Sequence, residues 1–132
     1  MIRKRLVASA KPLNQEIHLN IKRGTARGVF SIVYFEDHGH QIAYLPALNL
    51  TAYGSNKVEA IQMLDEVVDD YLDGLFSLPE SQIVSELQKL GWKRNPTFNK
   101  DFTADAHIDT EGILRNFNLP PETAIEQQLM SV

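Results

Sequence analysis

Residues 29–76 read VFSIVYFEDHGHQIAYLPALNLTAYGSNKVEAIQMLDEVVDDYLDGLF, and the period of the apolar positions changes partway along. As far as Tyr53 the pattern has a period of two, which is that of strands; from Lys57 apolar residues recur at three and four, which is that of a helix. The stretch therefore predicts antiparallel strands that hand over to one long helix, with the helix laid on the sheet.

Val29 to Glu36 is apolar on both faces, with Phe30, Ile32 and Tyr34 pointing one way and Val29, Val33 and Phe35 the other. Such a strand belongs near the middle of a sheet covered on both sides. Glu36-Asp37-His38-Gly39-His40 is a hairpin turn with Gly39 at its tip. Gln41 to Leu45 returns antiparallel. Pro46-Ala47 interrupts the ladder because proline has no N–H to donate, and Leu48 to Tyr53 forms another strand. Asn56 and Glu59 have the spacing of a capping box and start the helix. Ile61, Leu64, Val68, Leu72 and Leu75 mark its buried stripe, which Ala60, Met63, Val67 and Tyr71 widen.

Upstream, Ile17, Leu19 and Ile21 alternate with polar residues and predict a half-buried strand over 15–22, with His18 on its polar side. Arg23-Gly24-Thr25-Ala26-Arg27-Gly28 is a turn. It lacks the Gly-Lys-Ser/Thr ending of a phosphate loop, and a strand follows where a phosphate loop would open a helix. Residues 1–14 show no sustained period and are expected to form a mobile arm.

Downstream, Ser77 is placed to cap a second helix with Pro79 in its first turn and Ile83, Leu87 and Leu90 as its inner stripe. Gly91 ends that helix, and Trp92 folds back over the stripe as a lid. The pattern is then lost. Lys93-Arg94-Asn95-Pro96 reads as a linker, Phe98, Phe102, Ile108, Ile113, Leu114 and Phe117 are scattered anchors, and Pro120-Pro121 can open a last short helix through Met130.

The expectation is an α+β chain with an antiparallel sheet of three to four strands packed by one long helix, plus a short second helix and an irregular C-terminal arm. The division is a mobile N-terminal arm over 1–14, a sheet-and-helix domain over 15–93, and a C-terminal arm with a short helix over 94–132.

The bulk figures narrow the function. At 132 residues there is room for one core, and 43% hydrophobic with 23% charged residues is ordinary globular usage. With no cysteine, disulfides, thiolate nucleophiles and cysteine metal sites are excluded together. No apolar run approaches the roughly 18 residues that cross a bilayer, and the run after the basic start is too short for a signal peptide, so a cytoplasmic protein without membrane attachment is expected. A formal charge of -4 disfavours nucleic-acid binding over the whole surface.

That charge is unevenly spread. Arg3, Lys4, Arg5 and Lys11 make the first fourteen residues basic, whereas over 57–76 Glu59, Asp65, Glu66, Asp69, Asp70 and Asp73 face only Lys57. Carboxylates one turn apart, such as Asp65 with Asp69, could chelate Mg²⁺ or share a proton, but such acids more often make a solvated face. The turn at Asp37, His38 and His40 offers one carboxylate and two imidazoles, yet a metal site needs three or four ligands fixed by second-shell bonds, which a flexible turn does not provide. No catalytic residue, metal or cofactor is expected from these patterns.

From Phe30 to Leu72 the chain resembles the HicB family of type II antitoxins. Tyr44-Leu45-Pro46-Ala47-Leu48 is similar to the family's aromatic-x-Pro-x-Leu segment, and Gly54 followed by Val58-Glu59-Ala60 is similar to its helix start. Leu87-Gln88-Lys89-Leu90-Gly91-Trp92-Lys93 resembles the end of a helix in shorter members. The resemblance implies a partial ribonuclease H fold without catalysis, which masks HicA, a small basic messenger-RNA-cleaving toxin.

Many members add a C-terminal ribbon-helix-helix or helix-turn-helix segment; residues 93–132 match neither, so DNA binding is not carried over. The expected contacts to a HicA-like toxin are Glu66, Asp69, Asp70 and Asp73, through charge complementarity. A homo-oligomer is also expected. The alternatives are an orphan module that associates with itself through sheet edges, and a small-molecule binder. Nuclease chemistry would need carboxylates projecting from strands to hold two metals, and within the predicted strands the acids are Glu16 and Glu36 alone.

Overall fold

The computed structural model describes residues 7–9, 16–22, 24–27, 29–105 and 109–131. In chain order the elements are β1 (Val7–Ser9), β2 (Glu16–Asn20), β3 (Thr25–Arg27), β4 (Val29–Asp37), β5 (His40–Leu45), β6 (Leu50–Gly54), α1 (Lys57–Phe76), α2 (Glu80–Lys89), β7 (Lys93–Arg94), β8 (Asp101–Asp105), α3 (Thr110–Asn116) and β9 (Glu126–Ser131). A 3-10 turn, Pro46–Leu48, joins β5 to β6. The fold is α+β, as the change of period predicts, and the long helix packs on an antiparallel sheet.

The strands form two antiparallel sheets, ordered β1-β9-β4-β5-β6 and β3-β2-β8-β7. In the larger one β4 is the central strand. Its hairpin with β5 closes on a two-residue turn in which His38 and Gly39 have φ of 50° and 82°, with Asp37 opposite His40. Positive φ at both turn residues matches the right-handed twist of the strands, and glycine takes the second position without a Cβ penalty.

Both faces of β4 are covered. On one side Phe30, Ile32 and Tyr34 join Ala43, Leu45, Ala52 and Met130 beneath α1 and α2, and Leu19 and Phe102 of the smaller sheet enter the same core. On the other side Val33, Phe35 and Tyr44 meet Ile113 and Leu119 from and just beyond α3, with Phe117 in ring contact at 4.9 Å from Phe35 and 5.0 Å from Tyr44.

Helix α1 begins where Asn56 leaves the strand: its side chain accepts the Glu59 N–H at 2.9 Å, while the Glu59 carboxylate accepts from the Ser55 N–H and Oγ. The expected capping box is thus present in an offset form, reaching back to Ser55 instead of Asn56. Gly54 is required because a Cβ there would stand 2.7 Å from the Ala60 backbone nitrogen. The buried stripe is Ala60, Leu64, Val68, Leu72 and Leu75. Ile61 is half-buried and Met63 is 42% exposed, so the stripe lies one position N-terminal of the expected one in its first turn and does not extend to Met63.

Ser77 does not cap α2. It ends α1, donating its hydroxyl to the Asp73 carbonyl at 2.7 Å, and Pro79 precedes α2 without a side-chain cap. The end of α2 follows expectation: Gly91 takes φ 93°, its N–H reaches the Gln88 carbonyl, and the Trp92 N–H reaches that of Leu87. These are the paired bonds of a Schellman motif. Trp92 is buried against Phe30 and donates its indole N–H to the Ala47 carbonyl at 2.8 Å.

The C-terminal third differs most from its sequence pattern. Residues beyond 93 are not irregular: β8 pairs with β2, α3 covers the second face of the large sheet, and β9 lies between β1 and β4. No helix follows Pro120-Pro121; Glu126–Ser131 pairs with Tyr34–Val29 along six residues. The arm expected over 1–14 falls outside the described residues except for β1.

Candidate functional site

Helix α1 is anchored by its stripe to β5 and β6, which fixes its opposite face outward. At about 100° per residue, Glu66, Asp70 and Asp73 fall on one outward strip with Glu59 and Met63, and all five are exposed. Asp65 and Asp69 lie on the flank and are half-buried. Of the four carboxylates expected to contact a partner, the fold therefore aligns Glu66, Asp70 and Asp73 and sets Asp69 to one side.

Among the described residues the carboxylates of Glu66, Asp70 and Asp73 make no ion pair, whereas Asp65 and Asp69 do have interactions. The last turn of α1 carries no basic residue. Its carbonyl end has a partial negative charge, so each nearby acid costs about 0.3–1 kcal/mol that a cation at the same place would offset. Met63 adds an apolar side chain to the strip. Sequence reasoning assigned it to the core because methionine at a helical spacing reads as core; the signal against this was its place one turn from Glu59 and Glu66.

Elsewhere several charges are paired. Lys57 lies 2.6 Å from Glu126 and above the Tyr34 ring, at 5.1 Å from its centroid. Burial, and then the Glu126 charge, push the Tyr34 hydroxyl above its ordinary range. Glu80 accepts from Lys100 and sits near Arg94, tying α2 to the smaller sheet, and the Lys100 hydrogen bond holds its carboxyl below the ordinary range. Asp101 accepts from the Asn20 side chain at 2.6 Å.

Among the described residues no group of three or more His, Asp or Glu side chains is placed to hold a metal ion. Glu36 is exposed on β4, and the side chain of Glu16 is outside the described residues. Of the acids that β8 and β9 add to the sheets, Asp101 is bonded to Asn20 and Glu126 to Lys57, and the side chain of Asp105 is outside the described residues. His18, His38 and His40 are exposed, and His38 stands 3.5 Å from Asp37.

A pocket of about 150 Å³ lies between Tyr44, Pro46 and the start of α3, lined also by Asp109, Gly112, Ile113 and Asn116. It is smaller than the roughly 300–1,000 Å³ of ordinary ligand sites. Two of its polar groups are engaged: Asp109 accepts the Gly112 N–H as the α3 cap, and the Tyr44 hydroxyl donates to Asn49. Burial raises the Tyr44 hydroxyl above its ordinary range.

The fold and this face together define an α+β domain with an acidic, outward helix. No protein-family model, no curated protein and no solved structure matches the chain. No helix among the described residues is long and apolar enough to cross a membrane.

Proposed function

We propose that the chain is a noncatalytic interaction domain that captures a small basic protein on the outer face of α1. The observation that carries this reading is the strip Glu66, Asp70 and Asp73, exposed and without ion-pair partners among the described residues, which ends with Asp73 in the last turn of a helix whose own dipole is negative there. A local rule of helix stability is broken, and a docked cationic surface would relieve it. Asp69 supports the strip from its flank, and Met63 supplies an apolar contact within it.

The resemblance to HicB antitoxins makes a HicA-like RNA-cleaving toxin the specific partner, masked by steric cover and charge. The chain would then act in the cytoplasm, where such a toxin meets its messenger RNA.

The test is a search beside its gene for a reading frame that encodes a small basic protein, then co-expression with that product, purification and titration calorimetry. Asp70→Lys with Asp73→Lys is expected to weaken capture by about tenfold or more, as losing close charge pairs does at other interfaces, and to leave the melting temperature unchanged or higher. Undiminished capture by that double variant, or the lack of any capture by the wild-type chain, would defeat the reading.

A further inference from the structure

We propose that the outer edge of β6 is a homodimer interface, at which two copies join their large sheets into one. This edge is separate from the strip Glu66, Asp70 and Asp73 on the outer face of α1, and it is open whatever that strip captures.

Each sheet has two edge strands, and an unpaired edge is a template for association unless something blunts it. Three of the four are blunted. β1 and β3 have three residues each, and β7 has two, both of them basic. β6 is the exception. It has five residues, Leu50-Thr51-Ala52-Tyr53-Gly54, with no charge and no proline, and its pairing with β5 runs through five successive residues without a bulge. Among the described residues no strand pairs with its other side.

The occupant that fits is a second copy, because the strand is complementary to itself. An antiparallel pairing with its two-fold axis through Ala52 sets Thr51 opposite the partner's Tyr53 and Leu50 opposite the partner's Gly54. Each pair matches a larger side chain with a smaller one, Thr with Tyr is a favourable β-branched and aromatic pair, and no like charges meet. Tyr53 is 66% exposed in the single chain and Thr51 is exposed beside it, so both are free to pack across the axis.

A five-residue ladder alone falls short of the roughly 1,000 Å² expected of a specific interface. Helix α1 supplies more. It packs chiefly on β6, so the axis brings two α1 helices side by side. Ala60 abuts Gly54. The two helices run antiparallel, which carries their acid-rich C-terminal halves to opposite ends of the dimer.

Sedimentation equilibrium of the whole chain tests this. The wild-type protein is expected at twice its 14.9 kDa. Thr51→Lys and Tyr53→Lys each replace an exposed side chain, so circular dichroism should remain native while self-affinity falls by about tenfold or more for each. Asp70→Lys with Asp73→Lys, the pair that tests the acidic strip, is expected to leave the dimer intact, so the two readings can fail separately. A monomeric wild-type chain, including one that pairs its β6 edge only with a different protein, overturns the proposal. So does a dimer that survives both lysine substitutions in β6.

Discussion

At the scale of single residues, position on the helix decides what an apolar side chain contributes. Leu64 is fully buried and Ile61 half-buried, although three-and-four spacing alone places both in the stripe. Truncating Leu64 removes atoms from a close-packed site and leaves a cavity, which costs about 2–5 kcal/mol; truncating Ile61 removes atoms that are already partly wet. Urea unfolding should therefore show Leu64→Ala as the more damaging by at least about 1 kcal/mol. Equal losses would place the axis of α1 elsewhere on the sheet. The spacing located the helix and most of its inner face, but it could not tell Met63 from Ala60, because a stripe is centred by what lies beneath it. Gly54 bears on that: a Cβ there would meet the Ala60 backbone nitrogen and the Glu59 side chain, so its absence lets the first turn of α1 approach the strand closely.

At the scale of elements, legibility followed whether the chain end was written in a residue with one use. Gly91 announces the end of α2, and the bonds from Gly91 and Trp92 to the carbonyls of Gln88 and Leu87 follow from its φ of 93°. The same construction closes α3, where Asn118 has φ 52°, its N–H reaches Arg115 and that of Leu119 reaches Leu114. It went unread because α3 has only seven residues, too few for a period to show, and asparagine has many other uses. The two ends make opposite predictions. Gly91→Ala forces a Cβ into the left-handed region and should cost about 1–2 kcal/mol. Asn118→Gly relieves that constraint and should be neutral or stabilising by up to about 1 kcal/mol. Thermal melts of the two variants moving in the same direction would contradict these caps.

At the scale of the whole molecule, the central fact is that β9 reaches back about a hundred residues to pair with β4. Glu126-Gln127-Gln128-Leu129-Met130-Ser131 has weak strand propensity and places Gln128 in the core beside Ile32. It is a strand because β4 presents an open edge and an apolar face, and such tertiary context overrides local preference. Sequence pattern reads local order well and long-range pairing poorly, which is why the α1-on-sheet arrangement was legible and the insertion of β9 was not. The same reasoning applies to the acidic strip: helical spacing gathered Glu66, Asp70 and Asp73, whereas the exposed β6 edge depends on strand order, which spacing does not contain.

The two readings of the C-terminal third are separated by truncation. If residues 94–132 were an appended arm, residues 1–93 would fold and melt cooperatively. Without β8, α3 and β9, however, β4 would lose its partner on one side, Phe30 would lose Met130 across the ladder, and Val33, Phe35 and Tyr44 would lose their cover. Burying those side chains contributes about 1.5–3 kcal/mol each, comparable in sum with the 5–15 kcal/mol that a domain of this size has in total. The 1–93 fragment should therefore lack a cooperative transition by circular dichroism and bind a hydrophobic dye. A native-like melt would show that the sheet-and-helix half stands alone and that β9 only docks on it.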